Sequence, residues 1–256
     1  MAAGDAITAA IRNASSRGHP ALIGWVTAGF PNRETFLQQL AAVADASDVV
    51  EIGVPFTDPM ADGATIQRAS RAALAQGVSL KWILAELTRG PRPKSRAPLV
   101  LMSYLNPLLA YGLDRLPEDA ARAGVTGFIV PDLPFEECAE LREALAARGL
   151  ALVQLVTPVT PTERIQMLSA ASCGFVYAVT MTGTTGKNAP VSEETLEYFA
   201  CVQRLSPVPV CAGFGIRSRE QIERMAPHVD GVVVASALVE VLERGGDPAQ
   251  FLRSLR

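Results

Sequence analysis

The sequence predicts a closed barrel of eight parallel strands, each followed by a helix. Eight short runs rich in β-branched residues recur along the 256-residue chain, and a longer stretch of helical periodicity follows each run. Such a barrel typically needs about 250 residues, so one barrel would use up the chain. Hydrophobic residues make up 49% of the sequence and the mean hydropathy is +0.22, which suits a large buried core. We therefore expect one domain over residues 1–256, a (β/α)8 TIM barrel with an extra N-terminal helix.

The predicted elements alternate along the whole chain. The strands are expected at Ala21–Val26, Asp48–Gly53, Leu99–Ser103, Gly127–Val130, Ala151–Val156, Gly174–Val179, Pro209–Ala212 and Gly231–Val234. The helices are expected at Arg33–Asp45, Leu80–Thr88, Leu116–Ala123, Glu136–Ala147, Thr162–Ala171, Ser192–Leu205, Ser218–Met225 and Ala237–Glu243. An Ala-rich segment, Met1–Arg17, is expected to form the extra helix in front.

Local signals mark where several helices begin. Asn32 precedes Arg33 as a cap, and Thr162 opens a helix with Glu163 in its first turn. Ser218 stands three residues before Gln221, which is the spacing of a capping box. These signals place helices between the strands, as parallel βαβ units require.

An open, doubly wound sheet is the alternative fold, because it also alternates strands and helices. It usually carries a G-x-G-x-x-G turn directly after its first strand. Here the turn is Thr-Ala-Gly-Phe-Pro over residues 27–31, which lacks that spacing. The closed barrel is therefore favoured.

Charge and composition exclude several classes of function. The net charge is −3, from 23 basic and 26 acidic residues, and no run of Lys or Arg indicates a nucleic-acid or membrane partner. No apolar stretch reaches membrane-spanning length, and Met1–Arg17 does not resemble a signal peptide, so a cytoplasmic location is expected. A metal site is not expected, since the four cysteines lack CxxC spacing and both histidines adjoin prolines. These residues are Cys138, Cys173, Cys201, Cys211, His19 and His228.

Glu51 interrupts an otherwise apolar strand. Strands buried on both faces do not carry a free carboxylate cheaply, so a functional role is favoured. With period two, Glu51 shares its face with Gly53, whose missing side chain is expected to leave room for a ligand. An apolar setting would also raise the pKa of Glu51, which suits a general acid near neutral pH.

A long loop with two aspartates follows this strand. We expect Glu51–Gln67 to form an acidic strand and loop at the catalytic end of the barrel, because barrel enzymes place their chemistry on such loops. The alternative is that Glu51 lies in solvent at a strand end, and that Asp58 and Asp62 merely stabilise turns.

Small residues follow the last three strands. Gly183–Gly186 comes after the sixth strand, Gly213–Gly215 after the seventh, and Ala235 with Ser236 opens a helix after the eighth. Small residues let backbone N–H groups approach an anion, and a helix N-terminus adds its dipole. The pattern favours a phosphate site over three ordinary helix-initiating turns.

The segment Val50–Gly63 closely resembles the signature of the tryptophan synthase alpha subunit family. The chain carries it as Val-Glu-Ile-Gly-Val-Pro-Phe-Thr-Asp-Pro-Met-Ala-Asp-Gly. Further agreement runs in order over nearly the whole chain, at Leu101–Pro107, Pro131–Pro134, Tyr177, Thr182–Gly186 and Gly213–Ile216.

The resemblance implies a retro-aldol cleavage of indole-3-glycerol phosphate to indole and glyceraldehyde 3-phosphate, without cofactor or metal. Glu51 would be the acid/base that moves protons at indole C3 and at the adjacent hydroxyl. Asp62 would accept the indole N–H and, on a polar loop, would remain ionised. Asp132 is a further acid whose place between two prolines is equally typical of a structural turn.

The resemblance also implies the remaining site residues. Phosphate would bind to backbone groups of Gly186, Gly215, Ala235 and Ser236, and the indole ring would lie among Trp25, Tyr104, Tyr177 and Phe214. Thr185 would close the loop after the sixth strand over the substrate. For Tyr104 and Tyr177 taken singly, core packing is the alternative.

A beta subunit is the implied partner, in an alpha2-beta2 complex docked through Pro55, Phe56 and Asp58. Two alternatives remain open, a free-standing indole-3-glycerol phosphate lyase and a non-catalytic, phosphate-binding allosteric partner of a beta subunit. The chain departs from the family pattern at Phe30, at Trp25, where Phe or Tyr is commoner, and at Ala235, which replaces a usual glycine.

Overall fold

Eight parallel strands close into a barrel in the computed structural model, which describes residues 3–90, 95, 97–179, 191–213 and 215–256. Neighbouring strands pair in chain order, and the last strand pairs with the first. The strands are β1 (Ala21–Thr27), β2 (Val49–Gly53), β3 (Leu99–Met102), β4 (Val125–Ile129), β5 (Ala151–Val156), β6 (Val176–Val179), β7 (Val210–Gly213) and β8 (Gly231–Val234). The predicted (β/α)8 barrel is confirmed.

Helices surround the barrel between successive strands. They are α1 (Asp5–Ser15), α2 (Phe36–Ala44), α3 (Ala64–Ala75), α4 (Leu80–Arg89), α5 (Leu105–Tyr111), α6 (Leu116–Arg122), α7 (Ala139–Ala146), α8 (Thr162–Ala171), α9 (Glu193–Leu205), α10 (Arg219–Met225), α11 (Ser236–Glu243) and α12 (Pro248–Ser254). Short 3-10 turns, Arg33–Thr35 and Phe135–Glu137, precede α2 and α7. Asn32 caps the first of these turns, and Ser218 and Gln221 form the expected capping box of α10.

The extra N-terminal helix covers the end of the barrel where the strands begin. Its buried side chains, Ile7, Ile11 and Ala14, belong to the same apolar cluster as the inward-facing strand residues. The Thr8 hydroxyl donates to the carbonyl of Gly174, just before β6, over 2.8 Å. Helix α1 therefore closes this end and leaves the opposite end for chemistry.

The sequence prediction missed three helices, α3, α5 and α12. The predicted loop to Gln67 is wrong at its end, because α3 begins at Ala64 after a Gly63 cap that has no side chain to mark the start. Helix α5 contains Pro107 in its first turn, where proline is tolerated but discourages a helix prediction. Helix α12 had a readable signal, Asp247 as cap followed by Pro248.

The described residues contain no helix long and apolar enough to cross a membrane. All four cysteines are free thiols. Because all eight strands are parallel, the loops after Gly53, Met102 and Val234 lie at the same, carboxyl-terminal end of the barrel.

Candidate active site

Glu51 is buried on the inner side of β2. It lies in register with Trp25 of β1 and Val100 of β3, and only 1% of its surface is exposed. Neither carboxylate oxygen has a hydrogen-bond partner among the described residues. Burial, and to a lesser degree the nearby charge of Asp62, raise the pKa of Glu51 from 4.5 to about 8. Glu51 is therefore protonated at neutral pH, as a general acid must be.

Asp62 lies on the loop between β2 and α3, and it is also buried, with 7% of its surface exposed. The expectation of a polar, readily ionised setting is wrong, because the loop returns Asp62 to the mouth of the barrel. Burial raises the pKa of Asp62 from 3.8 to about 7, and a hydrogen bond from Tyr104 opposes the shift. The pKa of Asp62 therefore lies close below that of Glu51, and the two environments separate the pKa values less than expected.

A cavity at the carboxyl-terminal end of the strands brings most predicted site residues together. Its lining residues are Trp25, Asp62, Gly63, Ile66, Met102, Tyr177, Gly215, Ala235 and Ser236. Residues of the loop after β2 thus lie on the same cavity as the small residues after β7 and β8. Glu51 is not a lining residue, but the charge of Asp62 acts on it, and the charges of both carboxyl groups act on Tyr177.

The small-residue side of this cavity combines a helix end with a left-handed turn. Ser236 is the first residue of α11, and Ala235 is its N-terminal cap. Gly215 has φ 81°, a conformation that favours glycine, while nothing lies within 4 Å of an added Cβ. The N-terminus of α11 and the turn at Gly215 therefore line a space that suits an anion.

Three predicted site residues, Thr185, Gly186 and Phe214, lie outside the described residues. Conversely, the sequence prediction missed Gly63, Ile66 and Met102 as lining residues. Met102 shares the inner face of β3 with Val100, so strand alternation could have found it. Ile66 could not be found without knowing that α3 begins at Ala64.

Gly53 does not leave room for a ligand, contrary to our expectation. A Cβ added at Gly53 would lie 2.1 Å from Cζ2 of Trp25, so the indole ring of that residue fills the space. The Trp25 Nε1–H donates to Oγ1 of Thr27 over 3.0 Å and fixes the ring there. Gly213 makes the same allowance for Tyr177, whose hydroxyl would lie 2.2 Å from an added Cβ. At both glycines the missing side chain makes room for an aromatic ring that lines the cavity.

Gly53→Ala is expected to destabilise the fold by about 1–3 kcal/mol, the usual cost of overpacking a core. The added methyl would displace the Trp25 ring from a site that also lines the cavity. Thermal unfolding measures the effect, and Gly53→Ala combined with Trp25→Phe should recover most of the loss. A single variant as stable as the wild type would contradict this account of Gly53.

The residues predicted to contact a partner differ in their exposure. Asp58 is exposed and Phe56 is half-buried, whereas Pro55 is buried and presents no side chain at the surface. Met60, in the same loop, is 80% exposed. Asp132 accepts a hydrogen bond from the backbone N–H of Leu105 over 2.9 Å, so its observed contact agrees with the structural alternative.

The closed barrel and the carboxyl pair beside its catalytic-end cavity define a (β/α)8-barrel enzyme. A family model described as tryptophan synthase alpha chain matches residues 11–255. The chain belongs to the tryptophan synthase alpha chain family.

Relatives and solved structures resemble this chain over nearly its full length. It is 45% identical to the tryptophan synthase alpha chain of Solidesulfovibrio magneticus, covering 98% of each chain. It is 44% identical to that of Nitratidesulfovibrio vulgaris, covering 95% of each. A structure of tryptophan synthase subunit alpha from Legionella pneumophila has a TM-score of 0.86 and 30% identity, covering 100% of this chain and 97% of that one. A tryptophan synthase complex from Pyrococcus furiosus has a TM-score of 0.82 and 32% identity, covering 93% and 96%.

Proposed function

We propose that this chain, as one catalytic domain, cleaves indole-3-glycerol phosphate to indole and glyceraldehyde 3-phosphate in tryptophan biosynthesis. Family membership supports this lyase activity. The observation that carries it is the pairing of a buried, protonated Glu51 with the more acidic Asp62 beside one cavity.

Glu51 transfers protons to and from the substrate in this mechanism. Protonated Glu51 delivers its proton to indole C3, which leaves a positive charge on the indole ring. The resulting carboxylate then removes the proton of the adjacent glycerol hydroxyl. The bond from C3 to the glycerol carbon breaks, its electrons return to the ring, and the hydroxyl carbon becomes the aldehyde. Glu51 ends protonated, so the step balances without an oxidant, a metal or a cofactor.

Asp62 stabilises the intermediate charge. An ionised carboxylate that accepts the indole N–H is worth most when the ring carries the positive charge, which lowers the activation barrier. The mechanism therefore requires Asp62 ionised and Glu51 protonated together. Their pKa values of about 7 and about 8 place the optimum of kcat/KM between those pH values.

The remaining residues bind the two ends of the substrate. Trp25, Tyr177 and Phe214 contact the indole ring, and backbone groups of Gly186, Gly215, Ala235 and Ser236 hold the phosphate. Thr185 belongs to the loop that closes over the bound substrate.

The test of this function is an indole-release assay on the purified chain with indole-3-glycerol phosphate. We expect indole and glyceraldehyde 3-phosphate in equal amounts, without added metal or cofactor. An isomerase built on the same barrel would convert a phosphorylated substrate without releasing indole. Failure to release indole, both alone and with a beta subunit, would overturn the proposal.

We further propose a tryptophan synthase beta subunit as partner, at the catalytic end of the barrel. Exposed apolar side chains support this surface, since Met60 is 80%, Leu109 51% and Val159 74% exposed. They follow β2, β3 and β5 and thus lie at the same end. The structural relative from Pyrococcus furiosus is a tryptophan synthase complex.

Met60→Lys is expected to weaken binding of a beta subunit by at least about tenfold, because a charge would replace an apolar side chain at the interface. Met167→Lys, on the outer face of α8, is the matched control. Both variants are titrated against a beta subunit, with binding and the rise in indole turnover as readouts. Equal affinity of the two variants for the beta subunit would contradict the proposal that Met60 lies at the interface. Fast indole turnover by a wild-type chain that binds no beta subunit would favour a free-standing lyase.

A further inference from the structure

Tyr104 contacts the loop between β2 and α3, which carries Asp62. Its hydroxyl accepts a hydrogen bond from the backbone N–H of Ala61 over 3.0 Å. The same hydroxyl acts on the carboxyl of Asp62 and lowers its pKa against the effect of burial. Its ring packs against Phe56, with 5.4 Å between ring centroids. Tyr104 is 3% exposed, yet it is not one of the residues that line the cavity.

We propose that Tyr104 is a positioning residue, which fixes the loop that places the Asp62 carboxylate, rather than a wall of the indole pocket. This inference rests on the proposed function, because it concerns the aspartate that stabilises the indole nitrogen. It replaces our expectation that Tyr104 contacts indole.

The hydrogen-bond directions support this role. A tyrosine hydroxyl has one proton, and the Ala61 N–H occupies an acceptor position, which leaves the proton for Asp62. Hydrogen bonds to a carboxylate are stronger than those between neutral groups, and they favour its ionised form. The same residue thus fixes the backbone directly before Asp62 and has its hydroxyl proton free to favour the ionised form of that carboxyl.

Asp132 anchors Tyr104 from the neighbouring loop. Tyr104 is the N-terminal cap of α5, and the next residue, Leu105, donates its N–H to Oδ1 of Asp132 over 2.9 Å. The helix start that carries Tyr104 is therefore tied to the loop after β4. This contact gives the carboxylate of Asp132 an indirect role in placing Asp62.

The other ionisable groups that act on Asp62 do not stabilise its charge. Glu51 on β2 is a like charge when ionised, and the pKa of Tyr177 on β6 is raised by burial and then by both carboxylates. Burial raises the pKa of Asp62, and the Tyr104 hydrogen bond lowers it. Among the described residues, Tyr104 is thus the group that favours ionised Asp62.

Tyr104→Phe tests this role, since it removes the hydroxyl and keeps the ring. The matched control is Tyr111→Phe on the same helix, which removes a hydroxyl that donates to Asp119 over 2.5 Å. We measure kcat and KM for indole release from about pH 6 to about pH 9, where the Asp62 and Glu51 ionisations fall.

For Tyr104→Phe we expect kcat/KM at pH 7 to fall by roughly 10- to 100-fold, the effect of losing a hydrogen bond to a charged group. The acid limb of the pH profile should move to higher pH, because the pKa of Asp62 rises. The loss should appear mainly in kcat, while Tyr111→Phe keeps the wild-type profile.

Two results would overturn the inference while leaving the proposed function intact. One is an unmoved acid limb with the loss confined to KM, which would return Tyr104 to the indole pocket. The other is an equal loss in Tyr111→Phe, which would indicate general weakening of α5. If Tyr104→Phe does not fold, Asp132→Ala must shift the acid limb in the same direction, or the inference fails. A wild type that releases no indole would instead sink the proposed function itself.

Discussion

Glu51→Gln is expected to lower the rate of indole release by about 10²- to 10⁴-fold, which is the range that a positioned acid–base group contributes. Glutamine keeps the size of the side chain in the buried site on β2, but it neither delivers a proton to C3 nor removes one from the hydroxyl. The loss should appear in kcat, since the phosphate cradle and the ring contacts are untouched. Steady-state indole formation, measured in the presence of a beta subunit, reports it.

The control for this variant is Glu163→Gln, an equivalent change at an exposed position in the first turn of α8. It should leave turnover unchanged. If Glu51→Gln also leaves indole release unchanged, the catalytic assignment is wrong. The chain would then fit a non-catalytic, phosphate-binding partner that only activates a beta subunit.

The same Glu51→Gln variant is expected to be more stable than the wild type at alkaline pH. The folded-state pKa of Glu51 lies above its ordinary value, so the folded protein binds the proton more tightly than the unfolded chain does. Wild-type stability therefore falls as pH rises from 4.5 to about 8. The neutral amide of the variant does not titrate, so this loss of stability is absent from it.

The size of the stability effect follows from the pKa shift. A rise from 4.5 to about 8 corresponds to an upper limit of about 5 kcal/mol, at about 1.4 kcal/mol per pH unit. For a chain of this size, each 1 kcal/mol changes the melting temperature by about 2–4 °C. Unfolding at pH 5 and pH 9 should therefore show a clear stabilisation by Glu51→Gln only at pH 9. If the difference in melting temperature between Glu51→Gln and the wild type is the same at both pH values, the raised pKa of Glu51 is wrong.

The barrel itself was readable from the sequence, because parallel strands buried on both faces produce the apolar runs that were counted. For the same reason Glu51 was readable, since a carboxylate inside such a run has no cheap structural explanation. The family signature then separated Asp62 from Asp58, which spacing alone did not distinguish.

The burial of Asp62 was not readable from sequence. A loop with two aspartates and two prolines reads as polar, and only the three-dimensional path of the chain shows that Asp62 returns to the barrel mouth. The contact of Tyr104 with Ala61 was hidden for a related reason. Its hydroxyl meets a loop about forty residues earlier in the chain, and a single sequence gives no distance between the loops after β2 and β3.

The space at Gly53 illustrates a third limit. The missing side chain at Gly53 was interpreted as room for a ligand, but periodicity does not say what fills that room. Trp25 lies in register with Glu51 on the neighbouring strand, so a large side chain of the protein itself fills the gap. The direction of the Trp25 side chain, which a single strand pattern does not give, determines that this space is filled.

The most direct test of the central claim is a carbon-13 NMR titration of the Glu51 carboxyl group. The resonance is assigned by its loss in the spectrum of Glu51→Gln. We expect this carboxyl to titrate with a pKa of about 8, because burial and the charge of Asp62 both oppose its ionisation. A pKa near its ordinary value of 4.5 would contradict the account, since Glu51 would then hold no proton to deliver at neutral pH.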